Sequence, residues 1–162
     1  MSSTPHPLQH RNVSLTLFQP DIPQNAGNLF RTAACFGVPV HLVEPCGFVL
    51  SDSKMRRAGM DYMTHVNLTR HQSWQSYLTD RPRGRLVLLT TKGADSLERF
   101  SFENGDNIIL GRESAGVPDD VHDASDARVS LTMAPGLRSM NVAVCGGIVL
   151  FEALRQLKAL PV

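Results

Sequence analysis

Apolar, β-branched-rich runs recur at residues 14–18, 38–43, 65–68, 86–91, 107–110 and 128–133, with helix-like segments between most of them. The alternation predicts helices over 25–36, 52–62, 73–78, 117–122 and 139–160, with a short turn near Leu97. Strands that alternate with helices pair in parallel and carry the helices on their faces, so the pattern predicts an α/β fold built on a parallel sheet. Residues 1–11 read as a loose tail; the whole of 1–162 reads as a single domain, without repeats or a low-complexity linker.

One stretch departs from an ordinary amphipathic pattern. In 133–152, MAPGLRSMNVAVCGGIVLFE, a polar, proline-containing loop runs into a helix that is apolar on nearly every side. Such a helix needs cover all round. Its opening turn, Ser139-Met140-Asn141, would aim backbone N–H groups under the loop, a ready site for a polar ligand. Gly146 and Gly147 inside it each cost on the order of 1 kcal/mol relative to alanine, which implies close approach of another element, with a partner subunit favoured.

At 162 residues and 42% hydrophobic content, the chain can enclose one ordinary core. The uncharged run 139–151 falls well short of the roughly 20 apolar residues that span a membrane, and the N-terminus lacks the apolar stretch of a signal peptide. A soluble, cytoplasmic protein without a membrane partner is expected. Cys35, Cys46 and Cys145 show no metal or redox spacing and are expected to be reduced and structural. The histidines are scattered, His65 and His71 forming only a loose pair, so no metal site is expected.

The net charge of +1 argues against a large phosphate-gripping surface. The charges are nevertheless segregated: Lys54, Arg56 and Arg57 cluster, as do Arg81, Arg83 and Arg85, and Asp119, Asp120, Asp123 and Asp126 form an acidic patch.

Ligands of open α/β sheets bind beyond the carboxyl ends of strands. The loops there are 19–28, 90–94 and 111–116, with 133–139 as a fourth wall. Gly111 to Gly116 has the glycine spacing of a P-loop, yet Val117-Pro118 stands where the phosphate-gripping Lys and Ser/Thr belong, and no GxGxxG follows the first strand. A di- or triphosphate ligand is disfavoured. A bland reading makes 111–118 a strand-to-helix turn capped by Ser114, with Pro118 in the first helical turn. Arg31 lies one turn past Asn28 and can share its face, which suits either a salt bridge or a functional contact.

Taken together, 25–32 (NAGNLFRT), 110–118 (LGRESAGVP) and 133–152 resemble the SPOUT superfamily of RNA methyltransferases. The stretches 54–62 (KMRRAGMDY) and 44–48 (EPCGF) narrow the resemblance to the family that methylates the ribose 2′-oxygen of the tRNA wobble nucleotide, cytidine or uridine 34. The similarity covers nearly everything from about residue 14 to residue 158; each motif is weak, and their joint order is specific.

The resemblance implies a parallel-sheet SPOUT fold with a C-terminal trefoil knot, in which loops after Leu89, Leu110 and Met133 wrap S-adenosylmethionine, and an obligate homodimer. It places Leu89, Gly111, Leu131 and Ser139 against the methyl donor, mostly through backbone groups, with Met133 beside it. It puts Arg31 at the 2′-hydroxyl. A guanidinium stays protonated to above about pH 12, so its role there is electrostatic, toward the developing alkoxide. Aligning oxygen, methyl and sulfur can contribute on the order of 7–11 kcal/mol in ideal cases. Arg56, Arg57, Lys92 and Arg138 read either as holders of the anticodon stem-loop phosphates or as ordinary solvated charges. Glu113 reads as an organiser of its loop or of Arg31, or as a helix cap; Ser139 and Asn141 fix the donor and the knot loop, or cap. The substrate implied is tRNA, with leucine isoacceptors expected. Methylation of ribosomal RNA and a non-catalytic RNA-binding module stand as alternatives.

Overall fold

The computed structural model describes residues 13–49, 65–113, 115–137 and 139–161. In chain order it runs β1 (Ser14–Phe18), α1 (Pro23–Phe36), β2 (Val40–Val43), β3 (Leu68–His71), α2 (Trp74–Asp80), β4 (Leu86–Leu89), β5 (Asp95–Ser96), a 3-10 turn (Leu97–Arg99), β6 (Asn107–Leu110), α3 (Asp119–Ala124), β7 (Ala127–Ser130) and α4 (Val142–Gln156). The helix expected over 52–62 lies outside the described residues.

The strands form one seven-stranded sheet in the order β3-β2-β1-β6-β4-β7-β5, and each pairing is parallel. Every residue of β1, β2 and β6 is buried, as befits central strands covered on both faces. Successive side chains point to opposite faces, so Ile108 and Leu110 join Leu15, Leu17, Leu29, Phe30, Val149 and Leu150 in the core beneath α1 and α4. Ile109 points the other way, to Phe18, Trp74, Tyr77, Leu88 and Val121 beneath α2 and α3.

Several boundaries differ from the expected ones, each for a local reason. Strand β3 occupies 68–71 rather than 65–68, because pairing of Val40 with Leu68 and Val43 with His71 sets its register. Thr69 and Arg70 are tolerated there because the strand lies at the sheet edge. Strands β2, β4 and β7 are shorter than their apolar runs; Leu131 to Met133 leaves the sheet. Strand β5, two polar-ended residues on the other edge, has no apolar signature at all. Helix α1 starts at Pro23, whose fixed φ suits a first turn, and stops at Gly37 with φ 66°. Pro118 is the residue before α3 rather than part of its first turn, which Asp119 and Asp120 occupy with favourable charge. Ser114, the expected cap, lies outside the described residues.

Two members of the Arg81, Arg83 and Arg85 cluster are engaged within the chain, while Arg83 is exposed. Arg85 bonds Asp106 through Nε at 2.9 Å and through a terminal nitrogen at 2.8 Å, and Arg81 donates to the carbonyls of Pro82 and Gly84. Both sit at the amino ends of β4 and β6, the opposite edge from the site below. The cysteines are free, with Cys35 exposed and Cys145 buried.

His71 pairs not with His65 but with His41. His41 Nδ1 lies 2.9 Å from His71 Nε2, both residues are buried, and both rings pack on Tyr77, whose hydroxyl accepts from Thr16 at 2.9 Å. One ring donates and the other accepts, so the pair is stable with both rings neutral. Burial, reinforced by neighbouring His71, lowers the His41 pKa to about 4.

The unfolded chain therefore takes up this proton near pH 6.5 and the folded chain only near pH 4, so stability is intact above pH 6.5 and declines on acidification through that window. A shift of this size corresponds to a loss of about 3 kcal/mol. Urea unfolding across the window is expected to show the decline, and His41→Asn is expected to flatten it; an equally steep dependence in that variant would assign the effect to other groups.

Candidate active site

The carboxyl ends of β4, β6 and β7 open into a cavity of about 650 Å³. The loops that follow these strands supply its walls, together with the starts of α1 and α4. Leu89, Gly111, Leu131, Met133 and Ser139 all line it, and Lys92 stands on the same wall. The structure thus brings together five residues from three separate chain segments. Ile22, Asp119 and His122 join them without any signal in their local pattern, since which face α3 turns inward depends on the topology.

The loop after β6 is shaped by its glycines. Arg112 and Gly116 exchange both backbone hydrogen bonds at 2.9 Å, with Gly116 at φ 65°. A Cβ on Gly111 would lie 2.8 Å from the carbonyl carbon of Gly116 and 3.0 Å from Val117 Cγ1, so only glycine lets the loop fold back so tightly. The Arg112 guanidinium lies over the Phe18 ring, 5.7 Å from its centre. The segment with P-loop glycine spacing is thus closed by a bridge between Arg112 and Gly116.

Glu113 neither caps a helix of its own nor bonds Arg31 in a resolved contact. Its carboxylate accepts from the Asp21 backbone N–H at 3.1 Å and from Asn25 Nδ2 at 3.3 Å, which ties this loop to the start of α1. Burial, with the Asp21 side chain next to it, raises the Glu113 pKa. Asn25 in turn accepts from Asn141 Nδ2 at 3.0 Å.

Asn141 corrects the expected geometry of the last helix. It is the N-cap of α4, and its Oδ1 accepts from Ala143 and Val144 N–H at 2.9 and 3.2 Å. Helix α4 consequently begins at Val142 rather than Ser139, so the residues expected to form its opening turn precede the helix, and Asn141 itself satisfies two N–H groups of the first turn. Ser139 and Met140 remain in the loop, as part of the cavity wall.

Helices α1 and α4 run alongside each other. Asn25 meets Asn141, Leu29 meets Gly146, and the rings of Phe36 and Phe151 lie 6.2 Å apart. A Cβ on Gly146 would come 2.6 Å from Leu29 Cδ2 and 2.7 Å from Leu110 Cδ1, so this glycine serves packing inside the chain and not a partner. At Gly147 the nearest atom is Thr32 Cγ2 at 3.9 Å. The outer face of the pair forms a second hollow of about 730 Å³, with Asn28, Arg31 and Thr32 on one side and Val144, Gly147, Ile148 and Phe151 on the other. Val144, Ile148 and Phe151 are 51%, 41% and 46% exposed, so one face of α4 lacks the cover its composition calls for.

Arg31 therefore does not line the first cavity within a single chain. The two hollows adjoin through Asn141, which lines both. Arg56, Arg57 and Arg138 lie outside the described residues. Among the described residues no group of three or more His, Cys, Asp or Glu could hold a metal ion, and no helix is long and apolar enough to cross a membrane.

The SpoU rRNA Methylase family model matches residues 12–151. The chain is 50% identical over 151 residues to a tRNA (cytidine(34)-2′-O)-methyltransferase of Beijerinckia indica subsp. indica, a match that covers 90% of this chain and 92% of that protein. A solved structure described as giving structural insights into the 2-OH methylation of C/U34 on tRNA matches with a TM-score of 0.84 and 44% identity, covering 90% of this chain and 96% of the other. An AdoMet-bound rRNA methyltransferase from Sinorhizobium meliloti shares the fold at a TM-score of 0.81 and 24% identity, over 94% of this chain and 59% of that one.

The two glycines of α4 should separate on substitution. Gly146→Ala must displace two buried leucines and is expected to destabilise by about 1–3 kcal/mol, whereas Gly147→Ala gains helix propensity and is expected to be neutral or stabilising by up to about 1 kcal/mol. Asn141→Ala, which removes the cap and the Asn25 contact together, should cost about 1–2 kcal/mol. Urea unfolding measures all three; equal effects at Gly146 and Gly147 would contradict the packing described.

Proposed function

The chain belongs to the SpoU rRNA Methylase family, and we propose that it transfers the methyl group of S-adenosylmethionine to the ribose 2′-hydroxyl of nucleotide 34, the wobble position, of tRNA. The observation that carries this reading is the convergence of Leu89, Gly111, Leu131, Met133 and Ser139 on one cavity that adjoins the hollow of Arg31. The high identity to a cytidine(34) methyltransferase along nearly the whole chain supports the position of the target.

The cavity suits the donor. Its volume falls within the range of small-molecule sites, about 300–1,000 Å³. Leu89, Leu131, Met133 and Val142 offer apolar and backbone surface, and the bare backbone at Gly111 permits close approach. When bound, the donor supplies an electrophilic methyl group on a sulfonium. Arg31 supplies a fixed positive charge for the oxygen as it becomes an alkoxide, and works without gaining or losing a proton; the proton passes to water or to a phosphate oxygen of the RNA, the O–CH3 bond forms as the S–CH3 bond breaks, and a neutral thioether is left. Glu113, Asn25 and Asn141 hold the start of α1 against the cavity, which leaves Arg31 in the adjoining hollow.

In this reading the loops after β4, β6 and β7 close a trefoil knot, supported by their meeting with the start of α4 around one cavity. A second copy of the chain covers the exposed Val144, Ile148 and Phe151 face of α4, giving a homodimer. Lys92, with Arg56, Arg57 and Arg138, holds phosphates of the anticodon stem-loop, and the pair of subunits doubles a basic surface that the net charge of +1 leaves small. Leucine isoacceptors are the expected tRNAs. Ribosomal RNA is the second reading, favoured by the family description alone.

Incubation with methyl-labelled donor and either tRNA or ribosomal RNA, followed by nucleoside mapping, is expected to place a 2′-O-methyl group on nucleotide 34 of tRNA; methyl found only in ribosomal RNA would select the second reading. Arg31→Ala is expected to lower kcat by about 10²–10³-fold, the scale for loss of an oxyanion-stabilising donor. Calorimetry should show unchanged donor affinity in that variant. Undiminished transfer would remove Arg31 from the mechanism.

A further inference from the structure

We propose that Asn28 reads the ribose 2′-hydroxyl of the target nucleotide, accepting its hydrogen bond through the side-chain amide oxygen while Arg31 faces the same oxygen; this rests on the methyl-transfer reading above.

A hydroxyl nucleophile has two ends to position. Its oxygen needs positive charge as negative charge develops, and its O–H must be held so that a lone pair faces the methyl group. Arg31 can serve only the first need, because a guanidinium carries five donors and no acceptor. Side-chain acceptors in the Arg31 hollow are Asn28, Thr32, Asn141 and Glu152. Asn141 is engaged at both ends of its amide, by Asn25 and by the first turn of α4. The Glu152 carboxylate is held by Arg155 at 2.7 and 2.9 Å and by Gln156 at 3.1 Å. Thr32 lies a turn further from Asn141 and presents its methyl toward Gly147.

Asn28 is the acceptor that remains. It is exposed, and no hydrogen bond among the described residues engages its side chain. The fold gives it no structural duty: its motif neighbour Asn25 is buried and bonded on both sides, whereas Asn28 occupies an interior position of α1 where asparagine is a poor helix former. Asn28 and Arg31 stand three residues apart on α1, so they share a face, and both line the hollow that Asn141 joins to the donor cavity.

The test compares binding of two anticodon stem-loop RNAs that differ only at nucleotide 34, one with the ribose hydroxyl and one 2′-deoxy. Wild type is expected to prefer the hydroxyl form about tenfold, the scale of one hydrogen bond. Asn28→Ala should abolish the preference and lower kcat/KM by a similar factor, with donor affinity and oligomeric state unchanged. Asn28→Asp, which keeps the acceptor, should restore the preference, and Thr32→Val should retain it. A wild type blind to the hydroxyl, an Asn28→Ala variant that keeps the preference or changes its oligomeric state, or loss in Asn28→Asp as well, would each overturn the assignment. Absence of methyl transfer by wild type to any RNA would instead defeat the reaction, which the binding preference does not measure.

Discussion

The side-chain amide of Asn25 is the hinge on which the site's geometry rests. It donates to Glu113 and accepts from Asn141, partners 88 and 116 residues away in sequence. Asn25 is buried, so either end left unmatched would cost about 1–3 kcal/mol. The arrangement joins the start of α1, the loop after β6 and the N-cap of α4 at one point, and each of these segments also lines the cavity at the carboxyl ends of the strands. A single small residue thereby fixes where three walls stand, and an amide suits the position because it alone among side chains of this size donates at one end and accepts at the other.

Much of the architecture was legible because central parallel strands are buried on both faces. Ser14 to Phe18 and Asn107 to Leu110 are apolar apart from Ser14, Thr16 and Asn107, and both form buried strands of a parallel sheet. Edge strands carry no such mark: β3 contains Thr69 and Arg70, and its register comes from β2 rather than from its own composition. The last helix was recognised but its start was misplaced, because hydrophobicity cannot tell a loop serine from a first helical turn. Asn141 decides that question by satisfying two backbone donors.

The site was legible to a different degree. Periodicity located the loops at the carboxyl ends of the strands, while the choice of Leu89, Gly111, Leu131, Met133 and Ser139 within them came from resemblance to a family. Gly146 shows the limit of reasoning from a helix alone: a glycine pair signalled close approach, yet the element that approaches is α1 with β6 inside the chain, and only Gly147 is left toward the outside. The buried pair of His41 and His71 was missed because its partners sit on neighbouring strands 30 residues apart.

Division of the site into two adjoining hollows follows from the way α1 is held. Arg31 lies six residues beyond Asn25, about 9 Å along the helix axis. A short side chain there could not bring charge back toward Asn141, whereas a long one leaning toward the helix N-terminus can. An ammonium on a flexible stem would span a similar distance, but its strong hydration and free rotation suit it poorly to a fixed charge beside an apolar helix face; a planar guanidinium is more weakly hydrated and loses less freedom on being placed. The exposed Val144, Ile148 and Phe151 then have a second consequence. In the proposed dimer, the partner that covers them removes water from the neighbourhood of Arg31, and a fixed positive charge stabilises an oxyanion more strongly as the surrounding dielectric falls. Under that proposal, closure of the apolar face and strengthening of the cation are one event.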